Sequence, residues 1–336
     1  MSVFATATGI GSWPGASPSE AAEVVVGELH QLPHLVELPS RGIGADLIGR
    51  AGALLVDIPI DTVPRGYRVA GGRSSAMRRA VSLLDEDLDA LEEAWEKAGL
   101  RGSDRAVKVQ APGPVTLTAH LELGNGHRAI TDAGAFRDIA MSLAEGVARH
   151  RALVARRLET RVLVQFDEPS LPAAVAGNLS GVTRFSPVAA LETSTVTRVL
   201  DDCAAVVGPD LAVHCCAAGI PWKPLRDSAI DAISVDVHTL SAADLDGIGE
   251  FVESGRTVLL GAIAATDTTP RPAVGEVAAT VAAVTDRLGF SRAVLRDRIG
   301  VTPACGLAGA TPRWARTAIE LAQKTSDVLR EDPESI

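Results

Sequence analysis

Three consecutive residues in the segment VHCCAAG (213–219) have side chains that could hold a metal ion: His214, Cys215 and Cys216. They end an apolar run that is typical of a buried strand. Because side chains alternate along a strand, His214 and Cys216 share one face, and Cys215 points the other way into the packing. Imidazole and thiolate are ligands that zinc prefers. The spacing therefore predicts a soft-metal site that excludes Cys215.

Two further residues follow later apolar runs and could complete a ligand set. Cys305 lies in TPACG and Asp236 lies in SVDVH, and the sequence lacks the paired C-x2-C spacing of structural zinc knuckles. Zinc held by two thiolates and one histidine is suited to binding a substrate thiol, whose pKa it lowers. Such a site predicts alkyl transfer to sulfur. In the alternative interpretation the cysteines are buried small hydrophobic residues and His214 is a core histidine.

Carboxylates at two other predicted strand ends could bind the ammonium group of a substrate. Asp167 and Glu168 are adjacent in FDEPS, and Glu37 lies in VELPSRG. Neighbouring side chains on a strand face opposite ways, so one of the pair can enter a pocket while the other orients a loop. The alternative is a helix cap or a surface ion pair. The segment QAPGPVT (110–116) is typical of a rigid loop whose Thr116 caps the next helix.

These candidate residues are positioned by short apolar runs that alternate with amphipathic stretches. The predicted strands are 5–11, 34–38, 106–111, 161–166, 210–215, 232–237, 257–262 and 299–304. The predicted helices are 18–31, 44–57, 85–98, 131–158, 189–207, 241–254, 272–288 and 312–330. The repeated strand–helix order indicates a parallel sheet, and eight strands indicate a closed (β/α)8 TIM barrel. In such a barrel the chemistry lies at the carboxyl ends of the strands, where these residues are expected.

We predict a single domain, residues 1–336, with a loop or hairpin insertion near 58–83. No G-x-G-x-x-G segment opens a predicted helix and no P-loop is present, so the sequence does not indicate a dinucleotide or nucleotide site.

The composition argues against several classes of partner. The net charge of −10 disfavours nucleic acid. Hydrophobic residues make up 46% of the chain but aromatic residues only 3%, a composition that fits parallel strands rich in Val, Ile and Leu. Four cysteines, two of them adjacent, do not make a disulfide framework and indicate a reducing compartment. We recognise neither a secretory signal nor a membrane-spanning run, so we expect a cytoplasmic location and no membrane partner.

Six stretches, taken together and in order, resemble the catalytic C-terminal barrel of cobalamin-independent methionine synthase. They are GIGSWP (9–14), APGPVTL (111–117), QFDEPSL (165–171), VHCC (213–216), DAISVD (231–236) and TPACGL (302–307). They extend over nearly the whole chain. The resemblance implies a methionine synthase/uroporphyrinogen decarboxylase-like barrel, a bound Zn2+ and methyl transfer to the thiolate of homocysteine.

The resemblance implies a metal ligand set. His214 and Cys216 look like the His-x-Cys zinc ligands of the family, and Cys305 looks like its distant cysteine ligand. The fourth ligand of the family is a glutamate, and Asp236 stands in its place with one methylene fewer.

The resemblance also implies substrate contacts. Asp167 looks like the carboxylate that holds the amino group of homocysteine, and Glu37 looks like a second amine-binding glutamate. Ser12, with the backbone of Ile10, looks like the contact to the amino-acid carboxylate.

The sequence departs from the family in features that concern the methyl donor. The family has a histidine, thought to donate a proton, in the loop after the seventh strand. Here GAIAATDTTPRP (261–272) has none, and Asp267 is the nearest acid, which makes it the candidate catalytic group. We also expect this chain to lack the N-terminal half with which the long form of the family helps to bind folate polyglutamate. The donor is therefore either a methyl-folate or a methyl-corrinoid carried by another protein.

Three functions remain open from the sequence. The first is methyl transfer to homocysteine, giving methionine. The second is alkyl transfer to a thiol such as coenzyme M, or epoxide opening, on a similar zinc barrel; Arg41 and Arg271 could bind its sulfonate. The third is a non-catalytic zinc-binding barrel, suggested by the missing histidine and by the change from Glu to Asp.

Overall fold

The computed structural model describes residues 2–181 and 187–336. The strands are β1 (Ile60–Val63), β2 (Gly66–Val69), β3 (Ala106–Pro112), β4 (Leu121–Glu122), β5 (Arg161–Asp167), β6 (Leu211–Cys215), β7 (Ala232–Asp236), β8 (Thr257–Ile263) and β9 (Ile299–Pro303). The α-helices are α1 (Pro18–Glu28), α2 (Leu47–Ala51), α3 (Ser75–Lys97), α4 (Pro114–His120), α5 (Ala133–Leu158), α6 (Leu171–Val175), α7 (Thr193–Val207), α8 (Trp222–Arg226), α9 (Ala242–Glu253), α10 (Val274–Arg287), α11 (Ala293–Asp297) and α12 (Pro312–Glu331).

One curled parallel sheet carries the candidate site. Its strand order is β3, β5, β6, β7, β8, β9, and every neighbouring pair is parallel. Each of these strands begins and ends within one residue of a strand predicted from the sequence. Helices connect them, because parallel neighbours need a crossover between their ends. The predicted α/β class with a parallel sheet is therefore confirmed.

Two N-terminal segments, 5–13 and 33–38, contain the first two predicted strands (5–11 and 34–38) and lie beside the edges of this sheet. Segment 5–13 bridges to β9 at Val301, and segment 33–38 bridges to β3 at Lys108. The two segments also bridge each other, between Ser12 and Glu37. All three contacts are isolated bridges rather than ladders. The expectation of eight regular strands is therefore correct for six, and the closed eight-stranded barrel stays a prediction.

Inward side chains explain why the first segment is irregular. A Cβ on Gly9 would lie 2.2 Å from His34 Cε1, and a Cβ on Gly11 would lie 2.8 Å from Gln110 Cγ. Gly11 also has a φ of 148°, a conformation that favours glycine. The backbone passes close over the buried side chains of His34 and Gln110, and regular strand pairing is interrupted there.

The concave face of the sheet is layered from the amino ends of its strands to their carboxyl ends. A small apolar cluster lies toward the amino ends; it consists of Phe4, Leu32, Leu163, Ala212, Ala232 and Leu259. Two residues further along β5 and β6, on the same face, are Gln165 and His214. They are buried together with Lys108 of β3. A polar layer therefore lies directly beneath the strand ends where the chemistry was predicted.

An antiparallel hairpin follows the second N-terminal segment. Strands β1 and β2 pair from Ile60 with Val69 to Val63 with Gly66, and β2 pairs with β4. This hairpin lies inside the range 58–83, for which we expected a loop or hairpin.

Two helices differ most from their predicted bounds. Helix α3 begins at Ser75 rather than at 85, because the Ser74 side chain accepts a hydrogen bond from Met77 N at 3.0 Å and caps it. The predicted helix 44–57 is reduced to α2, which ends with Gly52 as its C-cap, and the backbone has a positive φ of 58° further on, at Asp57. No helix in the described ranges is long and apolar enough to cross a membrane.

Candidate metal centre

The carboxyl ends of β6 and β9 bring His214, Cys216 and Cys305 together. One ligand atom of each lies within 4.8 Å of the other two, and the two Sγ atoms are 3.0 Å apart. Cys216 follows β6 directly, whereas Cys305 lies in the loop after β9. Three of the four predicted metal ligands therefore form a group that could hold a metal ion.

The His214 ring is oriented as in many metal sites. Its Nδ1 lies 3.0 Å from Ser234 Oγ on β7, and both residues are buried. Its Nε2 is buried and has no hydrogen-bond partner. Metal-binding histidines usually fix one ring nitrogen by a hydrogen bond, and an unpaired buried nitrogen is costly unless something binds it. The donor set and this orphan nitrogen fit a metal ion bound through Nε2.

One hydrogen bond joins the two thiols of the cluster, and their pKa values are shifted in opposite directions. The hydrogen bond from Cys216, helped by the neighbouring His214, lowers the pKa of the Cys305 thiol to about 4. The same hydrogen bond, together with burial, raises the pKa of the Cys216 thiol. A cation bound here would favour the thiolate form of both, which is the form that ligates metals.

Cys215 lies on the opposite face of β6. It is fully buried in the main hydrophobic cluster, and burial raises the pKa of its thiol to about 12. The alternation of β6 therefore separates Cys215 from His214 and Cys216, as the strand register predicted.

A cavity of about 240 Å³ opens beside the metal cluster. Its lining comprises His214, Cys216, Cys305, Ile10, Ser12, Glu37 and Asp167, with Pro39, Ala45, Leu47, Pro169 and Gly306. The structure thus brings three predicted metal ligands and all four predicted substrate-contact residues to one cavity. A larger cavity of about 710 Å³ lies between α3, α5 and the chain 52–59, and none of the predicted site residues lines it.

Glu37 is a buried residue that lines the cavity, and one of its carboxylate oxygens is not hydrogen-bonded. Its Oε1 has no hydrogen-bond partner, and the nearest cation is Arg50, whose Nε lies 3.6 Å away. Burial raises the pKa of the Glu37 carboxyl, and the charges of Arg50 and Lys108 oppose that rise. When ionised, this carboxylate has the capacity to accept hydrogen bonds from a cationic ligand.

Asp167 presents a second carboxylate from the end of β5. Its Oδ1 accepts a hydrogen bond of 2.7 Å from Gln165 Nε2. Burial, and next the negative charge of Glu37, raise the pKa of the Asp167 carboxyl; Lys108 opposes them. In their ionised form, two carboxylates on one cavity could bind a group that carries positive charge.

Ser12 and Ile10 line the cavity from the N-terminal segment. Ser12 O accepts a hydrogen bond of 2.9 Å from Leu307 N, which ties this segment to the loop after β9. A Cβ on Gly306 would lie 2.0 Å from Ser12 Oγ, so only glycine permits this approach. The carbonyl of Ile10 points to the polar layer, where it accepts from Lys108 Nζ at 3.1 Å and from Gln165 Nε2 at 2.8 Å.

Asp236 is not brought into the metal cluster. Its Oδ1 accepts a hydrogen bond of 2.9 Å from His238 N and begins a short 3-10 helix, Val237–Thr239. Aspartate is favoured at such caps because its short side chain reaches the backbone two residues on. The role of Asp236 as a fourth ligand stays a prediction that this geometry disfavours.

Asp267 is not brought into the cavity either. It is exposed, and its carboxylate accepts hydrogen bonds from Thr311 N at 2.8 Å and Thr311 Oγ1 at 2.6 Å. These hydrogen bonds lower the pKa of Asp267, so the carboxyl carries no proton at neutral pH. Its role as proton donor stays a prediction, and both its position and its ionisation disfavour it.

Glu168, next to Asp167, does not line the cavity but binds the first turn of α4. It is fully buried and accepts hydrogen bonds from Val115 N at 2.9 Å, Thr116 N at 2.7 Å and Thr116 Oγ1 at 2.7 Å. Burial raises the pKa of this carboxyl to about 7, although the three hydrogen bonds oppose the rise. Of the adjacent pair in FDEPS, Asp167 therefore lines the cavity and Glu168 binds the neighbouring backbone, as strand alternation predicts.

Our sequence analysis missed two buried polar residues beneath the cavity, Lys108 and Gln165. Both lie in the middle of predicted strands, in AVKVQA (106–111) and RVLVQF (161–166). Lys108 is 1% exposed and Gln165 is 2% exposed. The sequence does contain a signal for Lys108. A lysine in an otherwise apolar strand is expected to be buried with that strand, and lysines are almost never fully buried unless they are paired.

The curled parallel sheet and the His/Cys/Cys cluster at its strand ends define an α/β protein with a candidate metal centre. The chain belongs to the family of cobalamin-independent synthase catalytic domains, whose model matches residues 4–327. This confirms the resemblance drawn from the six sequence stretches, and the family consists of enzymes of the methionine synthase type. No curated protein matches the chain.

One solved structure supports the fold, and two others match more weakly. A structure of a B12-independent methionine synthase from Shewanella sp. W3-18-1 in complex with selenomethionine matches with a TM-score of 0.63 at 16% identity, covering 100% of both chains. A putative lyase/mutase from Burkholderia cenocepacia J2315 matches with a TM-score of 0.38 at 13% identity, over 98% of this chain and 86% of that one. A β-glycosidase from Thermosphaera aggregans matches with a TM-score of 0.42 at 10% identity, over 95% and 86%.

Proposed function

We propose that this chain is a zinc-dependent methyltransferase that moves a methyl group to the thiolate of homocysteine and gives methionine. The observation that carries the proposal is that one cavity is lined by the cluster of His214, Cys216 and Cys305 and by the carboxylates of Glu37 and Asp167. A thiol and an ammonium on one small molecule would meet these two ends. Membership in the synthase family supports the same reaction. In the same proposal, the segments 5–13 and 33–38 complete an eight-stranded barrel.

Zinc is the metal that suits the three ligands. Imidazole and two thiolates are a ligand set for zinc, and three protein ligands leave a position open for substrate, as in catalytic zinc sites. When bound by His214, Cys216 and Cys305, the ion would lower the pKa of a substrate thiol so that the thiolate predominates at neutral pH. The side chains of this chain do the remaining work: Ser234 orients His214, and the carboxyl groups of Glu37 and Asp167 line the cavity for the substrate amine.

The cavity walls favour homocysteine over a sulfonate thiol. Glu37 and Asp167 suit an ammonium group, and Ser12 remains as the contact for the amino-acid carboxylate. The two arginines considered for a sulfonate are engaged elsewhere: Arg41 pairs with buried Asp87, and Arg271 pairs with Glu320 at 3.3 Å. Neither arginine lines the described part of the cavity. The hypothesis that the substrate is coenzyme M or a similar sulfonate thiol therefore has less support.

The proposed methyl donor is a methyl-corrinoid rather than a methyl-folate. In the transfer, the thiolate sulfur forms a bond to the methyl carbon, and the bond to the leaving group breaks with its electron pair on that group. A folate nitrogen leaves more readily when it is protonated, which requires an acid in the site, whereas a cobalt leaving group requires none. Asp267, the only acid suggested for this task, is exposed and bound to Thr311.

The reaction can be tested with the zinc-loaded chain, homocysteine and either methylcobalamin or methyl-tetrahydrofolate, with methionine measured by mass spectrometry. We expect methionine from methylcobalamin and much slower formation from the folate. Comparable rates would overturn the choice of donor. Bound zinc without methionine from either donor would favour the non-catalytic barrel, and turnover with coenzyme M alone would favour the sulfonate thiol.

A further inference from the structure

Lys108 is a charged residue that the proposed reaction does not yet use. It is 1% exposed in the polar layer beneath the cavity. Its Nζ donates to Gln165 Oε1 at 2.6 Å and to Ile10 O at 3.1 Å. Buried lysines are rare and costly, so one that lies next to a cavity and contacts only neutral acceptors directly needs an explanation. The negative charges near it are those of Asp167 and Glu37.

The lysine determines which way the Gln165 amide points. An ammonium group can only donate, so it requires the oxygen of the amide. The amide nitrogen then faces Ile10 O at 2.8 Å and Asp167 Oδ1 at 2.7 Å, both of which can only accept in their ionised or carbonyl form. A flipped amide would oppose donor to donor and acceptor to acceptor. Lys108 therefore selects one of the two orientations of Gln165.

This orientation in turn leaves one oxygen of Asp167 for a ligand. Oδ1 is bound by Gln165, and no described residue donates a hydrogen bond to Oδ2 of this cavity-lining carboxylate. The same amide and the same ammonium hold the carbonyl of Ile10, which also lines the cavity. One lysine therefore supports two of the four candidate substrate contacts.

We propose that Lys108 is a positioning residue that, through Gln165, fixes the Asp167 carboxylate and thereby makes the cavity select thiols that carry an α-ammonium group. This inference rests on the proposed function, because it takes homocysteine as the ligand. It concerns the amine end of the cavity and not the metal cluster.

The inference can be tested by calorimetric titration of the zinc-loaded protein with two thiols. Homocysteine carries the ammonium, and 4-mercaptobutyrate has the same chain without it. The variant Lys108→Met removes the ammonium of the lysine and keeps the length of its side chain. Gln165→Met breaks the same link from its other end. Lys223→Met is the control, because this lysine is 68% exposed and pairs with Asp227 on the surface.

We expect Lys108→Met and Gln165→Met each to weaken homocysteine binding about 10-fold or more, which is the range for a lost hydrogen bond to a charged group. Binding of 4-mercaptobutyrate should change by less than about threefold. The control should bind both thiols as the wild type does. If Lys108→Met does not fold, Gln165→Met decides the outcome.

Equal weakening of both thiols would overturn the inference, because it would mean that Lys108 only supports the fold. Unchanged homocysteine binding in a folded variant would overturn it as well. A wild-type protein that binds neither thiol would overturn the proposed function, and the inference with it. Thiol binding by the wild type therefore distinguishes failure of the proposed function from failure of the inference about Lys108.

Discussion

The identity of single atoms decides what the strand end at 213–216 can do. The Sγ atoms of Cys216 and Cys305 lie 3.0 Å apart, and the neighbouring His214 Nε2 is buried without a partner. One residue away, Cys215 is packed in the hydrophobic core. Two adjacent thiols of the same chemistry therefore have different tasks, because alternation turns them to opposite faces.

Serine substitutions test this division. Cys216→Ser and Cys305→Ser should lose zinc, with a loss of affinity larger than the roughly 10- to 100-fold typical of residues outside the ligand shell. Cys215→Ser should keep zinc and lower the free energy of unfolding by about 1–3 kcal/mol, since a buried hydroxyl needs a partner. Zinc content after gel filtration and urea denaturation measure both effects.

Cys203→Ser is the matched control, because Cys203 is a buried thiol outside the cluster. It should keep zinc as Cys215→Ser does. Loss of zinc in Cys215→Ser as complete as in Cys216→Ser would mean that the register of β6 is shifted by one residue.

The exposed Asp267 permits a test of the proton-donor role. Asp267→Asn should leave the rate of methyl transfer within about threefold of the wild type, because the side chain does not reach the cavity and transfers no proton there. Its melting temperature should fall slightly, since the carboxylate binds Thr311 at the start of α12. A loss of turnover of about 100-fold or more, with an unchanged melting temperature, would restore Asp267 as the acid.

At the scale of elements, Glu168 joins the end of β5 to the beginning of α4. Folding raises the pKa of its carboxyl from 4.5 to about 7 through burial. The fold therefore favours the protonated form. The stabilisation from this group is fully present below about pH 4.5 and is lost as the pH rises through about 7.

Glu168→Gln should reveal this dependence, because glutamine does not titrate. We expect the variant to be less stable than the wild type at pH 5, by about 1–3 kcal/mol, since its amide nitrogen opposes one of the backbone donors. The difference should shrink between pH 5 and pH 8. Chemical denaturation at several pH values measures it, with the exposed Glu192→Gln at the start of α7 as control. A difference that grows with pH would show that the three donors stabilise the carboxylate instead.

The regular elements of the sheet could be predicted from the sequence, and the exceptions have physical reasons. Strands buried on both faces read as apolar runs, so β3 and β5 to β9 are found within one residue. The first segment fails as a regular strand because Gly9 and Gly11 pass over large inward side chains, a contact that periodicity does not express. The early start of α3 depends on one cap, Ser74, within a stretch that resembles a loop.

The positions of site residues could be predicted where strand alternation and strand ends determine them. They were harder to predict where the direction of a side chain determines its contacts. The convergence of His214, Cys216 and Cys305 follows from the parallel order of the strands. Asp236 occupies the expected strand end, but its short side chain turns to His238 N. The importance of Lys108 depends on contacts to neighbouring strands and segments, which the strand pattern alone does not predict.

At the scale of the whole molecule, a bound metal would link parts of the chain that are distant in sequence. Its ligands lie at the carboxyl ends of β6 and β9, which are separated in the sheet by β7 and β8. Anything that binds only the folded state stabilises it, by about 2.7 kcal/mol at a free concentration 100 times the dissociation constant. We therefore expect zinc to raise the free energy of unfolding of the wild type by about this amount and a chelator to reverse it.

Urea denaturation with and without chelator measures the effect, and Cys216→Ser serves as the control that should not respond. A wild type whose unfolding ignores both zinc and chelator would argue against a metal site at these strand ends. Equal stabilisation of the wild type and of Cys216→Ser would mean that the metal binds elsewhere.

Zinc-edge X-ray absorption of the protein with and without homocysteine is the decisive test of a thiol-binding zinc site. We expect one zinc with sulfur and nitrogen ligands from Cys216, Cys305 and His214, and one additional sulfur when homocysteine is added. Coenzyme M should not add this sulfur. A ligand shell that no thiol enters, or a protein that binds no zinc, would rule out thiol activation here and leave the His/Cys/Cys group a structural feature of the fold.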